Sequence, residues 1–177
     1  MATFAGIFFL AALLLLTGIA YHRAEFFSPD PTYFLRDRHG RFLGEIGAPP
    51  EGEYGYWDLE ALPPRVMAAT LAVEDRRFWS HSGVDALAIA RALYQNAIHL
   101  KRSSGASTIA MQISRMQNPG SRSYLRKATE ALTALFITAR YGREEILKHY
   151  LRIVPYGNRI HGIAYAARRY FDKPVDD

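Results

Sequence analysis

Arg23 is the first Lys, Arg, Asp or Glu in the chain, and Phe4 to Ala20 is apolar apart from Thr17 and two glycines. About 20 helical residues, rising ~1.5 Å each, cross a hydrocarbon core of ~30 Å. The run therefore predicts a transmembrane anchor over residues 1–23, with Tyr21, His22 and Arg23 at the interface. A cleaved signal peptide is the second reading, since Gly18 and Ala20 are small enough for a cleavage site. It fits less well, because no basic residue precedes a rather long apolar run. A buried core helix is the third. The flanking charges do not orient the segment: no Lys or Arg precedes it, and Arg23 follows.

The 177 residues allow one domain, or one domain with an appendage, and exclude a large multidomain enzyme for this stretch. A composition of 49% apolar and 22% charged residues is globular rather than disordered. With no cysteine there is no disulfide framework, thiolate metal site or cysteine nucleophile. The net charge of +5 is unevenly placed. Residues 101–153 hold ten Lys or Arg against three acids, a local +7, so the remainder sums to −2. Such a field attracts anions such as phosphates or lipid headgroups, and it equally describes a solvated basic face.

Residues 24–54 read as linker and β-hairpin, with two β-prone pieces around Asp37–Arg38–His39–Gly40, followed by a loop at the Pro49–Pro50 pair. Pro63 and Pro64 suit the first turn of a helix running into Glu74. Asp85 is placed as the N-cap of the next helix, whose apolar stripe is Leu87, Ala90, Leu93, Ala97 and Ile98. Lys101 to Gly105 reads as a flexible basic loop. Helices are then expected from Ser107, over 123–141, over 142–152 and over 161–171. The fold class is mainly α. No Rossmann fingerprint, P-loop or HExxH motif is present.

Three local patterns could carry chemistry. Glu74-Asp75-Arg76-Arg77-Phe78-Trp79-Ser80-His81-Ser82-Gly83 crowds four charges, two aromatics and a histidine at the end of an apolar helix. A capping and ion-pair cluster has the same wording. Next, Gly105-Ala106-Ser107 opens a helix on which Thr108, Gln112 and Arg115 fall within about 60° of one another, beside a core stripe of Ile109, Ile113 and Met116. Free N–H groups at such a start suit an anion, although an ordinary amphipathic helix looks alike. Third, Glu130 is the only charge among the twelve residues between Lys127 and Arg140. A carboxylate on so apolar a helix needs a partner or a raised pKa, and Arg126 and Lys127 lie four and three residues before it. A structural ion pair and a site for phosphate-leaving chemistry both remain open.

Taken together, these patterns resemble the peptidoglycan glycosyltransferases found in monofunctional transglycosylases and bifunctional penicillin-binding proteins. Glu74, Asp75, Phe78, His81 and Gly83 match the first motif of that family, and Gly105, Ser107, Thr108 and Gln112 the second. Arg126, Lys127 and Glu130 match the third; Glu145, Ile146, Leu147, Tyr150 and Leu151 the fourth. Tyr156-Gly157, Gly162-Ile163, Ala166-Ala167 and Tyr170-Phe171 cover the fifth. The GASTIAMQ wording, with Met111 where many members have Gln, is most similar to the penicillin-binding protein 1C branch. Departures are Lys148 for a usual Glu, Arg152 for Asn, Asp172 for Gly and Arg115 for Lys. The resemblance implies that residues 55–177 form a lysozyme-like glycosyltransferase domain, incomplete at its C-terminus because the family's domain continues past this point.

What the resemblance implies about activity is specific. Members polymerise lipid II, a disaccharide-pentapeptide on undecaprenyl pyrophosphate, into glycan strands, inverting the sugar carbon and expelling the lipid pyrophosphate. On that basis Glu74 is the expected general base and Glu130 the second catalytic carboxylate. Thr108, Gln112, Arg115, Arg126 and Lys127 are expected to bind the pyrophosphate. Asp75, Phe78, His81 and Ser107 are expected in support. A divalent cation, Mg2+ or Mn2+, held near Glu130 is the one cofactor expectation. Expected partners are lipid II, the growing strand, the bacterial cytoplasmic membrane with the globular part on its outer face, and other cell-wall synthesis proteins, but no nucleic acid. Two other readings stand beside this one. A lysozyme-like glycan cleaver has no need of a concentrated basic patch, because its leaving group is a sugar hydroxyl. A truncated, membrane-anchored module would bind lipid II or a cell-wall partner without turnover.

Overall fold

A computed structural model of the chain describes residues 2–27, 30–46, 53–57, 59–99, 105–121 and 123–175, without the side chains of Ala2, Thr3, Glu53 and His99. The loop at Pro49–Pro50, the basic stretch 101–104 and Arg122 lie outside the described residues. The chain is mainly helical, as expected. It has helices α1 (Ala2–His22), α2 (Pro64–Glu74), α3 (Ala86–His99), α4 (Ile109–Gln117), α5 (Tyr124–Arg140), α6 (Arg143–Ile153) and α7 (Ile163–Phe171). Its strands are short: β1 (Tyr33–Arg36), β2 (Phe42–Ile46), β3 (Glu53–Tyr54) and β4 (Ile160–His161). Contacts divide it into two compact units. One is 1–26 with 71–146 and the other 27–70 with 147–177, so the divisions fall inside α2 and α6.

In the first unit, Phe4–His22 of α1 is long and apolar enough to cross a membrane. Its large apolar side chains from Phe4 to Leu15 are mostly exposed, whereas Ala20 near its end is buried. The end of α1 is fastened to α5. Tyr21 meets Phe136 edge-on at 5.6 Å, Arg140 lies over the Tyr21 ring at 4.9 Å, and Phe26 stacks on Tyr141 at 3.8 Å. These aromatic and cation–π contacts suit a junction with one apolar and one polar end.

The core of this unit lies between α4 and α5, where Ile109, Ile113 and Ile137 are fully buried. Each such side chain contributes roughly 1.5–3 kcal/mol relative to exposure. Both helices start on side-chain caps. The Thr108 hydroxyl accepts from Met111 N–H, and the Ser123 hydroxyl accepts from Arg126 N–H. The helix expected from Ser107 thus begins two residues later, with Thr108 as its cap. Asp85 caps α3 as expected, accepting from Ala88 N–H at 2.9 Å. The expected apolar stripe of α3 faces outward instead, with Leu87, Leu93 and Ile98 all more than half exposed and Ala92 buried. Periodicity identifies residues that share a face without saying what the face meets.

In the second unit, β1 and β2 form the expected antiparallel hairpin, pairing Tyr33 with Ile46 and Leu35 with Gly44. At its turn Asp37 accepts from the backbone N–H of Arg41 and His39 and from the Arg41 guanidinium. The Arg41 N–H leads in holding this carboxyl below its ordinary pKa. The parallel pair β3–β4, Glu53 opposite Ile160, was not anticipated from sequence. Arg168 of α7 ties helix to hairpin. It is buried against Glu45, donates to the Tyr56 carbonyl at 2.7 Å, and lies over Phe34 at 4.7 Å.

Candidate active site

The three patterns singled out in the sequence converge in the first unit. Glu74 is the last residue of α2 and is exposed; its carboxylate accepts from Gln112 Nε2 of α4 at 2.9 Å. Asp75, the next residue, is buried. Its carboxylate accepts from His81 Nε2 at 2.9 and 3.1 Å and from the backbone N–H of Ile109 at 3.1 Å. A carboxylate on the first N–H of α4 is favoured both by the unpaired donors there and by the helix dipole. His81 Nδ1 accepts from Gly83 N–H at 3.2 Å. That bond assigns the ring proton to Nε2, which donates to Asp75.

To bring His81 back onto Asp75, the chain reverses through a single 3₁₀ turn, Phe78–Ser80, closed by Phe78 N–H on the Asp75 carbonyl at 3.0 Å. Phe78 is buried and anchors the turn. Gly83 then passes directly against α5. Its φ is +107°, and a Cβ there would stand 2.3 Å from the Ala134 carbonyl oxygen. Only glycine accepts both constraints. The Thr108 hydroxyl donates to the Gly83 carbonyl at 2.5 Å. Thus the first pattern is bound to the start of α4 and lies on α5.

Glu130 is buried and has the partners expected of it. Arg126 Nε and Lys127 Nζ each donate to its carboxylate at 3.2 Å. Lys127 also donates to the Ser107 hydroxyl at 2.8 Å, which joins α5 to the residue before the α4 cap. Arg126 has a further task. It donates to the carbonyls of Asn118 at 2.6 Å and Arg115 at 3.5 Å, at the end of α4. Gly120 leaves room for it, since a Cβ there would meet the Arg126 guanidinium at 2.3 Å.

The expected residues therefore fall into distinct settings. Glu74, Arg115 and Lys127 are exposed, and Gln112 is half-buried. Arg126 is mostly covered, and Thr108 is 2% exposed with its hydroxyl committed to the Gly83 carbonyl and the Met111 N–H. Asp75, Phe78 and His81 are buried. The Glu130 setting does not fit a resident metal ion. Both of its oxygens face cations, and among the described residues no three His, Asp or Glu side chains gather to hold one. A further arginine, Arg143 of α6, donates to the carbonyls of Phe78, at 2.7 Å, and His81. Nothing in the sequence pattern singled it out, because its partners are carbonyls more than 60 residues away.

Residues 39–177 match the family model described as Transglycosylase. The chain is 39% identical over 138 residues to the biosynthetic peptidoglycan transglycosylase of Salmonella arizonae, covering 74% of this chain and 57% of the relative. It is 37% identical over 139 residues to penicillin-binding protein 1A of Haemophilus influenzae, covering 78% of this chain and 16% of that protein. A biosynthetic peptidoglycan transglycosylase of Aeromonas hydrophila is 39% identical over 126 residues, covering 71% of this chain and 53% of the relative. The chain thus spans from about a sixth to just over half the length of these relatives. On the family match and the shared identity together, the chain belongs to the transglycosylase family.

Proposed function

We propose that the protein is a peptidoglycan glycosyltransferase that extends glycan strands from lipid II. The observation that carries this reading is the pairing of the exposed Glu74 with Gln112 on a helix whose start is joined to the Lys127–Glu130 pair. A base and a cationic site then share one wall, α4. In the proposed step the acceptor's 4-hydroxyl oxygen bonds to C1 of the growing strand's terminal sugar, and its proton passes to the Glu74 carboxylate. The bond from C1 to the phosphate oxygen breaks, its electron pair leaves with the lipid pyrophosphate, and C1 is inverted. Gln112 orients Glu74. Lys127 and Arg115 are the exposed cations assigned to the departing charge, with Glu130 fixing Lys127 in place. Thr108 and Arg126 serve by holding the two ends of α4.

Full-length protein in detergent should convert lipid II to polymer, and Glu74→Gln should slow it roughly 10²–10⁴-fold while leaving lipid II binding intact. Equal polymer from both proteins would overturn the base assignment. Binding without polymer in the wild type would replace the enzyme with a binding module. The same reading places the globular part on the outer face of the cytoplasmic membrane, where α1 anchors it beside a lipid-borne substrate. An alkaline phosphatase fused after residue 25 should be active; an inactive fusion that is stably expressed reverses this orientation.

A further inference from the structure

Arg143 opens α6, where a positive charge is unfavourable against the N-terminal end of the helix dipole, and the acids Glu144 and Glu145 that follow are the side chains suited to that turn. Its placement answers to something other than α6. The guanidinium donates to the carbonyl oxygens of Phe78 and His81 and lies over the Phe78 ring, 5.4 Å from its centre. These carbonyls lie in and just after the 3₁₀ turn, so a group that holds both fixes the turn at its start and at its exit. A planar fork with several donors satisfies two acceptors at once, and a ring face takes the remaining cationic surface.

We infer that Arg143 is a positioning residue for the proposed reaction, a clamp that holds the 78–81 turn so that His81 can fix Asp75 beside Glu74. The chain of contacts is continuous. Arg143 holds the His81 carbonyl, the His81 ring holds Asp75, and Asp75 holds the first N–H of α4. Glu74 adjoins Asp75 in sequence and is met by Gln112 one turn into α4. Releasing the clamp loosens the turn and with it the angle between Glu74 and α4. The cations assigned to the departing charge are Lys127 on α5, fixed by Glu130 and Ser107, and Arg115 in the last turn of α4, and neither is bonded to Arg143. Loss of Arg143 should therefore impair turnover and spare substrate affinity, a split that general destabilisation does not produce.

The inference rests on the glycosyltransferase reading, and the test separates the two. Lipid II polymerisation by full-length wild type, Arg143→Met and Arg143→Lys is measured well below each protein's melting temperature. Arg143→Met should lower kcat at least tenfold with KM within about twofold, and Arg143→Lys should recover part of the loss, since a single ammonium reaches the carbonyls without the planar fork. Unchanged kcat per folded molecule, or a change confined to KM, overturns the inference. A wild type without polymerisation sinks the function instead, and the clamp is then read without activity. With 15N-labelled histidine, and His81→Gln to assign the signal, wild type should show His81 protonated at Nε2 alone, and Arg143→Met a mixture of tautomers. A fixed Nε2–H tautomer in the variant overturns the clamp.

Discussion

Glu74 and Glu130 carry the same carboxylate in opposite settings. Glu74 ends a helix, is exposed, and has a neutral amide for its partner. Glu130 sits mid-helix, is buried, and has both oxygens turned to cations. A carboxylate that takes up a proton during a reaction has to be reachable and lightly held. One that fixes cations has to stay ionised and still. On the proposed function the difference assigns reaction to one member of the pair and architecture to the other, and each substitution below probes one side of it.

The largest effect is expected at Glu74. Replacing it by Gln should cost roughly 10²–10⁴-fold in polymerisation rate, the usual contribution of a positioned base. The melting temperature should change by no more than about 1 °C, because an exposed side chain with a neutral partner contributes little to stability. Initial rates on lipid II and a thermal melt check both halves. A large drop in melting temperature would mean that Glu74 is architectural, and the contrast would fail.

At Glu130 the balance reverses. Glu130→Gln leaves two cations facing an amide in a largely dry site, and breaking such a pair by losing one member costs about 3 kcal/mol. Part of that is relieved because the Lys127 side chain is 48% exposed. The melting temperature should fall by roughly 5–10 °C for a chain of this size, with activity lost as well. An unaltered melt would place Glu130 with Glu74, as a reacting group only.

The two cations sharpen the contrast in the same way. Arg126 holds the Asn118 and Arg115 carbonyls and is 16% exposed, whereas Lys127 is half open to solvent. Arg126→Met should therefore act on stability, by about 1.5–3 kcal/mol for its charge-assisted bonds to the end of α4. Lys127→Met should raise KM for lipid II roughly tenfold, the loss of one phosphate-directed cation, and move the melt by about 1 kcal/mol or less. Comparable KM changes in both variants would show that Arg126 reaches the substrate too.

How much of this was legible in the sequence follows from the range of each interaction. The Arg126–Glu130 and Lys127–Glu130 pairs were readable because residues three and four apart on a helix must be neighbours. The cap at Asp85, the hairpin and the apolar N-terminal helix are equally local. Thr108 shows the limit. Its spacing put it on the polar stripe with Gln112 and Arg115, but as the cap it turns its hydroxyl back to Met111 N–H and across to Gly83. The α3 stripe was legible as a face and not as a surface. Arg143, the β3–β4 pair and the seat of Gly83 on Ala134 join segments at least 50 residues apart, and no local pattern encodes which carbonyl a distant side chain will meet.

The smallest effect bears most directly on what Glu130 does. Thr133 lies one turn beyond it on α5, is fully buried, and its hydroxyl has no hydrogen-bond partner among the described residues. Thr129 and Thr138 on the same helix return theirs to the carbonyls of Leu125 and Ala134, both at 2.9 Å. An unpaired buried hydroxyl costs roughly 1–3 kcal/mol, and Val replaces it with a methyl of similar shape. Thr133→Val should therefore stabilise by about 1 kcal/mol and raise the melting temperature by roughly 2–4 °C, with polymerisation unchanged. Placed in the Glu130→Gln background, it should restore part of the lost stability. The two sites are close enough to couple, so the recovery need not be additive. If polymerisation stays absent while the melt recovers, the role of Glu130 in holding Lys127 at the site is distinct from its role in holding α5 together. If activity returns with stability, Glu130 serves the fold alone and the chemistry belongs to Glu74.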